Sequence, residues 1–238
     1  MREQAYMPMD PAIAWLALQQ LLDSALPIGG FSHSFGLETL VQEGRIRTAE
    51  QLERYTTAMM LQSWAPADAM IVKAVYRADG DDRWADAWDV ERLVHAQRLA
   101  VETRTGMEKM GRRLLKLAEA IFPQLDTRQL TRAAATGEAL ATYPLVYGCL
   151  CAALGIPLER SVQGYLYNSI VTSIGSALRL MAIGQTEGQA IIARCAARTP
   201  AAWELVQAME PEDAWSDMPL AELAMIRHET LYSRLFMS

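Results

Sequence analysis

The chain has 238 residues, a net charge of −6 and a pI near 5.2. That acidic balance excludes nucleic acid as a main partner, because phosphate binding needs a basic field. Apolar residues make up 51% of the chain, enough for a large buried core and too many for general disorder.

Residues 1–10 carry charges but no apolar h-region, so no signal peptide is expected. Asp10 is placed to cap a first helix that Pro11 opens. Ile13, Leu16, Ala17 and Leu21 form its stripe. Trp15, Leu18 and Leu22 widen that stripe until little polar face remains, which predicts a well-buried helix.

The least ordinary stretch follows, Leu26-Pro27-Ile28-Gly29-Gly30-Phe31-Ser32-His33-Ser34-Phe35-Gly36-Leu37-Glu38. Pro27 stops the helix, and Leu26-Pro27-Ile28-Gly29 has the chemistry of a type I turn. Gly30 is the position expected to take positive φ or to let another backbone approach. Ser32 or Ser34 can start the next helix by accepting a bond from a free N–H. Gly36 is read inside that helix, at a cost of about 1 kcal/mol relative to Ala. Phe31, His33 and Phe35 alternate around the corner, so not all three can face one core. Two readings stand: an inward-packed helical corner, or a contact surface held rigid by the turn.

Thr48 and Gln51 form a capping box, followed by Leu52, Tyr55, Thr56, Met59 and Met60 at helical spacing. A further helix is expected over 68–77, then a solvated connection at Asp79-Gly80-Asp81-Asp82. Val90, Leu93, Val94, Gln97 and Val101 continue the pattern, and Leu114, Leu117, Ala118 and Ile121 resume it. Asp126 with Gln129, Thr186 with Gln189, and Thr199 with Pro200 mark three more helix starts. Residues 161–178 lack any charge, but Gln163, Asn168, Thr172 and four serines reject a membrane span. This stretch is expected to be a central buried helix of a soluble protein. No alternating run with hairpin turns occurs. The expected architecture is all-α, a single compact bundle-like domain over 1–238 with roughly nine to eleven helices.

Catalytic motifs are missing. No Walker A sequence is present, and His228-Glu229 begins like a zincin motif but Tyr232 stands where the second His belongs. Gly30-Phe31-Ser32-His33-Ser34 misses the G-x-S-x-G elbow, which needs a preceding strand and Gly at Ser34. His95 reads as a surface residue. Cys149, Cys151 and Cys195 read as buried structural thiols in a reducing cytoplasm. Neither a catalytic nor a metal-binding residue is assigned.

The end of the chain is the second unusual stretch. Leu220, Leu223, Ala224, Leu231 and Leu235 form a helical stripe, and Arg227 and Arg234, seven apart, share a face. Glu229, Tyr232 and Phe236 line a neighbouring face. Tyr, Phe and two Arg at a chain end are types enriched at binding hot spots. Either the tail is a terminal helix docked on its own core, or it binds a partner. The second is the reading adopted, and it predicts that removing 227–238 leaves the melting temperature nearly unchanged.

The corner motif closely resembles the signature of the urease accessory protein UreF. The tail, Arg227-His228-Glu229 followed by Tyr232-Ser233-Arg234-Leu235-Phe236, also resembles that family. Further similar pieces lie between, at Arg104-Thr105-Gly106-Met107-Glu108-Lys109-Met110-Gly111, Tyr143-Pro144-Leu145-Val146-Tyr147-Gly148 and Arg179-Leu180-Met181-Ala182-Ile183-Gly184-Gln185. Ala141 and Thr142 stand where many relatives carry a His near the Tyr-Pro stretch. The resemblance implies a non-catalytic, cytoplasmic all-α chaperone of urease maturation and a homodimer. It implies binding to UreD (UreH in some organisms), recruitment of the GTPase UreG, and delivery of nickel to apo-urease. No cofactor is held tightly; nickel is handled by the assembled complex. Neither nucleic acid nor membrane is implied as a partner. The positions expected to contact partners are Pro27, Gly29, Gly30, Phe31, His33, Arg227, His228, Glu229, Tyr232, Arg234 and Phe236. A helical hydrolase using Ser32, or a regulator with a small-molecule pocket, are the competing classes.

Overall fold

The structure, a computed structural model, describes residues 11–238. The signal-peptide reading of 1–10 and the Asp10 cap lie outside the described residues. Pro11 does open the first helix, α1 (Pro11–Leu21), and a 3-10 turn (Gly30–Ser32) leads to α2 (Leu37–Gln42). There follow α3 (Ala49–Met59), α4 (Ala69–Asp81), α5 (Trp84–Gln97), α6 (Val101–Ile121), α7 (Arg128–Thr136) and α8 (Tyr143–Ala153). The chain continues through α9 (Leu158–Leu180), α10 (Gln185–Ala196) and α11 (Thr199–Val206) to α12 (Pro219–His228). Among the described residues there is no strand, so the fold is all-α.

The uncharged stretch becomes α9, which runs through the middle of the molecule. Its small residues let neighbours close in, and α4, α8, α10 and α11 pack along it. Val162, Tyr165, Leu166, Ile170, Ile174 and Ala177 are buried there, and Tyr165 meets Tyr143 and Tyr147 of α8, each ring pair 5.7 Å apart. Such tilted aromatic pairs add about 0.5–1.5 kcal/mol each beyond their buried area. No helix is long and apolar enough to cross a membrane among the described residues.

Local signals hold unevenly. Thr48 accepts from the Gln51 amide and Gln51 reaches back to the Thr48 amide, the expected capping box. The acidic Asp79-Gly80-Asp81 is not a connection: α4 runs through it and ends where Asp82 turns to φ +54°. Thr186 lies inside α10, whose first residue is Gln185. One side of α1 is bare rather than buried, with Ile13, Trp15 and Leu16 exposed while Ala14, Ala17, Leu18 and Leu21 pack inward. His95 is only part-exposed and faces Glu108 at 3.4 Å. Burial lowers its pKa, against the opposing pull of Glu108.

Between α3 and α4 the rod is π-helical over Met60–Asp68, with Pro66 inside it. Pro66 has no N–H to donate, and a widened turn removes its clash with the preceding turn. Two carbonyls of this segment accept from the irregular 214–218 stretch instead, Pro66 from the Trp215 amide (2.9 Å) and Gln62 from the Asp217 amide (2.8 Å).

The three cysteines are free. Cys151 and Cys195 are buried and Cys149 partly so. Burial pushes all three thiols up, Cys151 to about 12, which keeps them protonated and unreactive.

Candidate interaction surface

The two unusual stretches form one structure. Past α12 the chain does not stay helical: residues 229–238 run irregularly back over the corner before α2. The expected terminal helix is therefore absent beyond His228. Arg227 and Arg234 do not share a helical face; Arg227 pairs with Glu43 and Arg234 with Glu102.

Phe35 explains why the tail lies there. Its φ is +49°, an uncommon left-handed conformation for a bulky side chain. That turn leaves the Ser34 and Phe35 amides aimed outward, and both donate to the main-chain oxygen of Ser238, at 2.6 and 3.0 Å. The Ser34 hydroxyl donates to the same oxygen at 2.8 Å. The Met237 amide donates to the Ser32 carbonyl at 2.8 Å, and His33 Nδ1 lies 2.7 Å from Ser238 Oγ.

Gly36 is not inside the helix but at its start, with φ +86°. A Cβ there would also stand 3.0 Å from the Met225 side chain and 3.1 Å from the Ala221 carbonyl. The glycine thus serves both the turn and the close crossing of α2 by α12. Positive φ in the preceding turn belongs to Gly29 (+90°); Gly30 takes an ordinary 3-10 conformation against Met110. Gly106 of α6 lies under the His33 ring, where a Cβ would sit 2.9 Å from Cε1.

Glu38 is the carboxylate that sequence reasoning passed over. It is 1% exposed, and it accepts from the Leu235 amide (2.7 Å), the Phe236 amide (3.1 Å) and Gln42 Nε2 (3.3 Å). His228, fully buried, sits between two carboxylates: Nε2 is 3.0 Å from Glu38 and Nδ1 2.7 Å from Glu102. The other Glu102 oxygen takes Arg234 Nη1 at 2.5 Å. A hydrogen-bonded chain thus runs Glu38–His228–Glu102–Arg234, from the core to the surface. Glu38 was legible only as one letter of the corner motif, and Glu102 carried no signal at all.

His33 lies at 6% exposure beside this chain, stacked on Phe35 with ring centroids 5.4 Å apart. Burial, with help from Lys109, lowers its pKa from 6.5 to about 4, against an opposing pull from Glu102. Ser176 of α9 donates to its carbonyl at 3.2 Å. Arg179 of α9 donates to the Phe31 carbonyl and lies 4.4 Å over the Phe236 ring, joining α9, corner and tail.

The residues named from sequence divide by depth. His33, His228 and Phe236 stand beneath the surface and hold it together. Pro27, Arg227, Glu229, Arg234 and above all Phe31 (66%) and Tyr232 (106%) are exposed upon it. Gly29 and Gly30 are part-exposed at its edge. Leu235 and Met237 add exposed apolar area beside them. Ser32 is part-exposed, and its carbonyl is occupied by the tail. The Glu38–His228–Glu102 group engages both ring nitrogens with carboxylates, and no cluster of three or more His, Cys, Asp or Glu arranged for a metal ion occurs among the described residues.

A family model described as UreF matches residues 46–196. The chain belongs to the UreF family of urease accessory proteins. The chain is 31% identical over 223 residues to a urease accessory protein UreF from Lachnoclostridium phytofermentans, covering 94% of this chain and 98% of that one. It is 30% identical to one from an Arthrobacter species, over 94% of this chain and 96% of the relative. A third, from Haemophilus influenzae, is 31% identical over 228 residues. The UreF-family core at 46–196 excludes both the corner and the tail, yet the relatives extend across most of the chain. Of the earlier expectations, the family and the all-α fold hold.

Proposed function

We propose that this UreF-family chain is a non-catalytic, cytoplasmic scaffold, working as a homodimer, that joins UreD (UreH) and the GTPase UreG for GTP-dependent nickel insertion into apo-urease. Nickel is cargo of the assembly. The observation that carries the reading is the fusion of corner and tail into one surface. The interior of that surface is fully engaged in holding its own shape, while Phe31, Tyr232 and Arg234 project from it. Exposed aromatics beside an arginine oriented by a carboxylate are the composition of a binding hot spot.

Co-expression with UreD- and UreG-type proteins, followed by affinity capture, tests it. Phe31→Ala and Arg234→Ala should each weaken capture of the UreD-type protein by about 2 kcal/mol or more, with unchanged circular dichroism. Recruitment of the GTPase should fall in parallel. Full capture by both folded variants would remove this face from the interface.

A further inference from the structure

His33 is a titratable side chain whose ring nitrogen the tail covers directly. Ser238 Oγ closes on its Nδ1 at 2.7 Å, and Met237 and Ser238 bond the main chain on either side of it. From the other elements it is faced by Gly106, Glu102 and Lys109 of α6, by His228 of α12 and by Ser176 of α9. Arg234 reaches this group only through Glu102, and Arg179 bonds the neighbouring Phe31 carbonyl. Closed, the ring is stacked on Phe35 and nearly buried; with the tail lifted, its Nδ1 edge would be hydrated.

We propose that release of the tail from the corner and uptake of a proton by His33 are coupled, so that acid opens the surface and neutral pH keeps it latched. The physical reason is desolvation. A charged imidazole is disfavoured where water is excluded, and removing the cover restores its hydration. Burial is accordingly the first cause of the lowered His33 pKa. By reciprocity, whatever holds the tail down holds the proton off, and whatever protonates the ring loosens the tail. A partner that binds the closed surface would take up fewer protons with it, which makes capture pH-dependent. That last consequence rests on the interface reading above; the coupling itself belongs to the isolated chain.

The experiment is amide hydrogen exchange at Leu235, Phe236 and Met237 in the full chain, corrected for intrinsic rates, from pH 6.5 down to about 4. One coupled proton raises the open population by at most about tenfold per pH unit. A rise of several-fold per unit is expected, with His33→Gln flattening it. The reverse arm follows the His33 ring by NMR: Phe236→Ala, which loosens the tail, should move its titration up from about 4 toward 6.5. Protection independent of pH in the native chain overturns the proposal. An equal slope in His33→Gln does the same, since the coupled proton would then not be on His33. If His33→Gln fails to fold, the Phe236→Ala arm decides, and an unmoved His33 titration overturns the coupling.

Discussion

At the scale of single residues, Glu38 carries the most. Its two oxygens serve a buried imidazole and two tail amides at once, so Glu38→Ala leaves the Leu235 and Phe236 amides and the His228 ring facing a cavity. Each buried polar group left without a partner costs about 1–3 kcal/mol, and chemical denaturation should show a loss of several such steps. Arg234→Ala, by contrast, removes a part-exposed pair of the kind worth about 0.2–1 kcal/mol. The pair of variants thus separates support from display on one hydrogen-bonded chain. His33 gives the pH dependence of stability. Its folded pKa is below its unfolded value, so between 6.5 and about 4 the unfolded chain binds the extra proton. The contribution of His33 is complete above 6.5, declines as pH falls through that window and is gone below about 4. Its size is about 3 kcal/mol, and the slope should shrink in His33→Gln melts to what His95, whose pKa burial also lowers, leaves behind.

At the scale of elements, the tail behaves as a strap rather than a helix. Helical periodicity holds through α12, but the face it buries is Ala221, Ala224, Met225 and His228, while Leu220 and Leu223 of the expected stripe are exposed. Beyond it the Ser233 carbonyl, the Leu235, Phe236 and Met237 amides and the Ser238 main-chain oxygen bond to Gln42, Glu38, Ser32, Ser34 and Phe35 instead. Removing 233–238 would expose the site under Phe236, whose burial is worth about 1.5–3 kcal/mol, and strip the caps from Ser34 and Phe35. The expected melting temperature is therefore clearly lower, where the tail pattern alone predicted almost no change even on removal of 227–238. Helical spacing reports which residues share a face, and it is blind to a distant carboxylate that offers the backbone better partners. The capping box at Thr48 was legible because both its halves lie within one turn. The π-helical segment was not, because its freed carbonyls are taken up by residues about 150 positions later. Gly36→Ala tests the crossing of α2 and α12: it combines a positive φ with a Cβ at 3.0 Å from Met225, and a loss of more than about 1 kcal/mol is expected in thermal melts.

At the scale of the whole molecule, periodicity was enough for the fold class, since core-facing residues recur at helical spacing in nearly every segment. It could not say that the two odd stretches touch, because nothing in either names the other. Far-UV circular dichroism should show a helical chain without appreciable sheet. The single-domain expectation is tested by unfolding: it predicts one cooperative transition, coincident by dichroism and tryptophan fluorescence. Light scattering at micromolar concentration should give a dimer, and the bare Ile13, Trp15 and Leu16 face of α1 is a surface to mutate if it does. The contact between His33 and Ser238 closes a loop of 205 residues. Closing so long a loop gains nothing until the body between its ends is compact. The packing of α4 with α5 and α8 involves near neighbours or a pre-collapsed core, and it should precede the strap. Tail substitutions should then leave the refolding rate almost untouched and act by accelerating unfolding. The interaction face would be the last part of the molecule to be completed and the first to be lost, so a misfolded or half-built chain presents no binding surface.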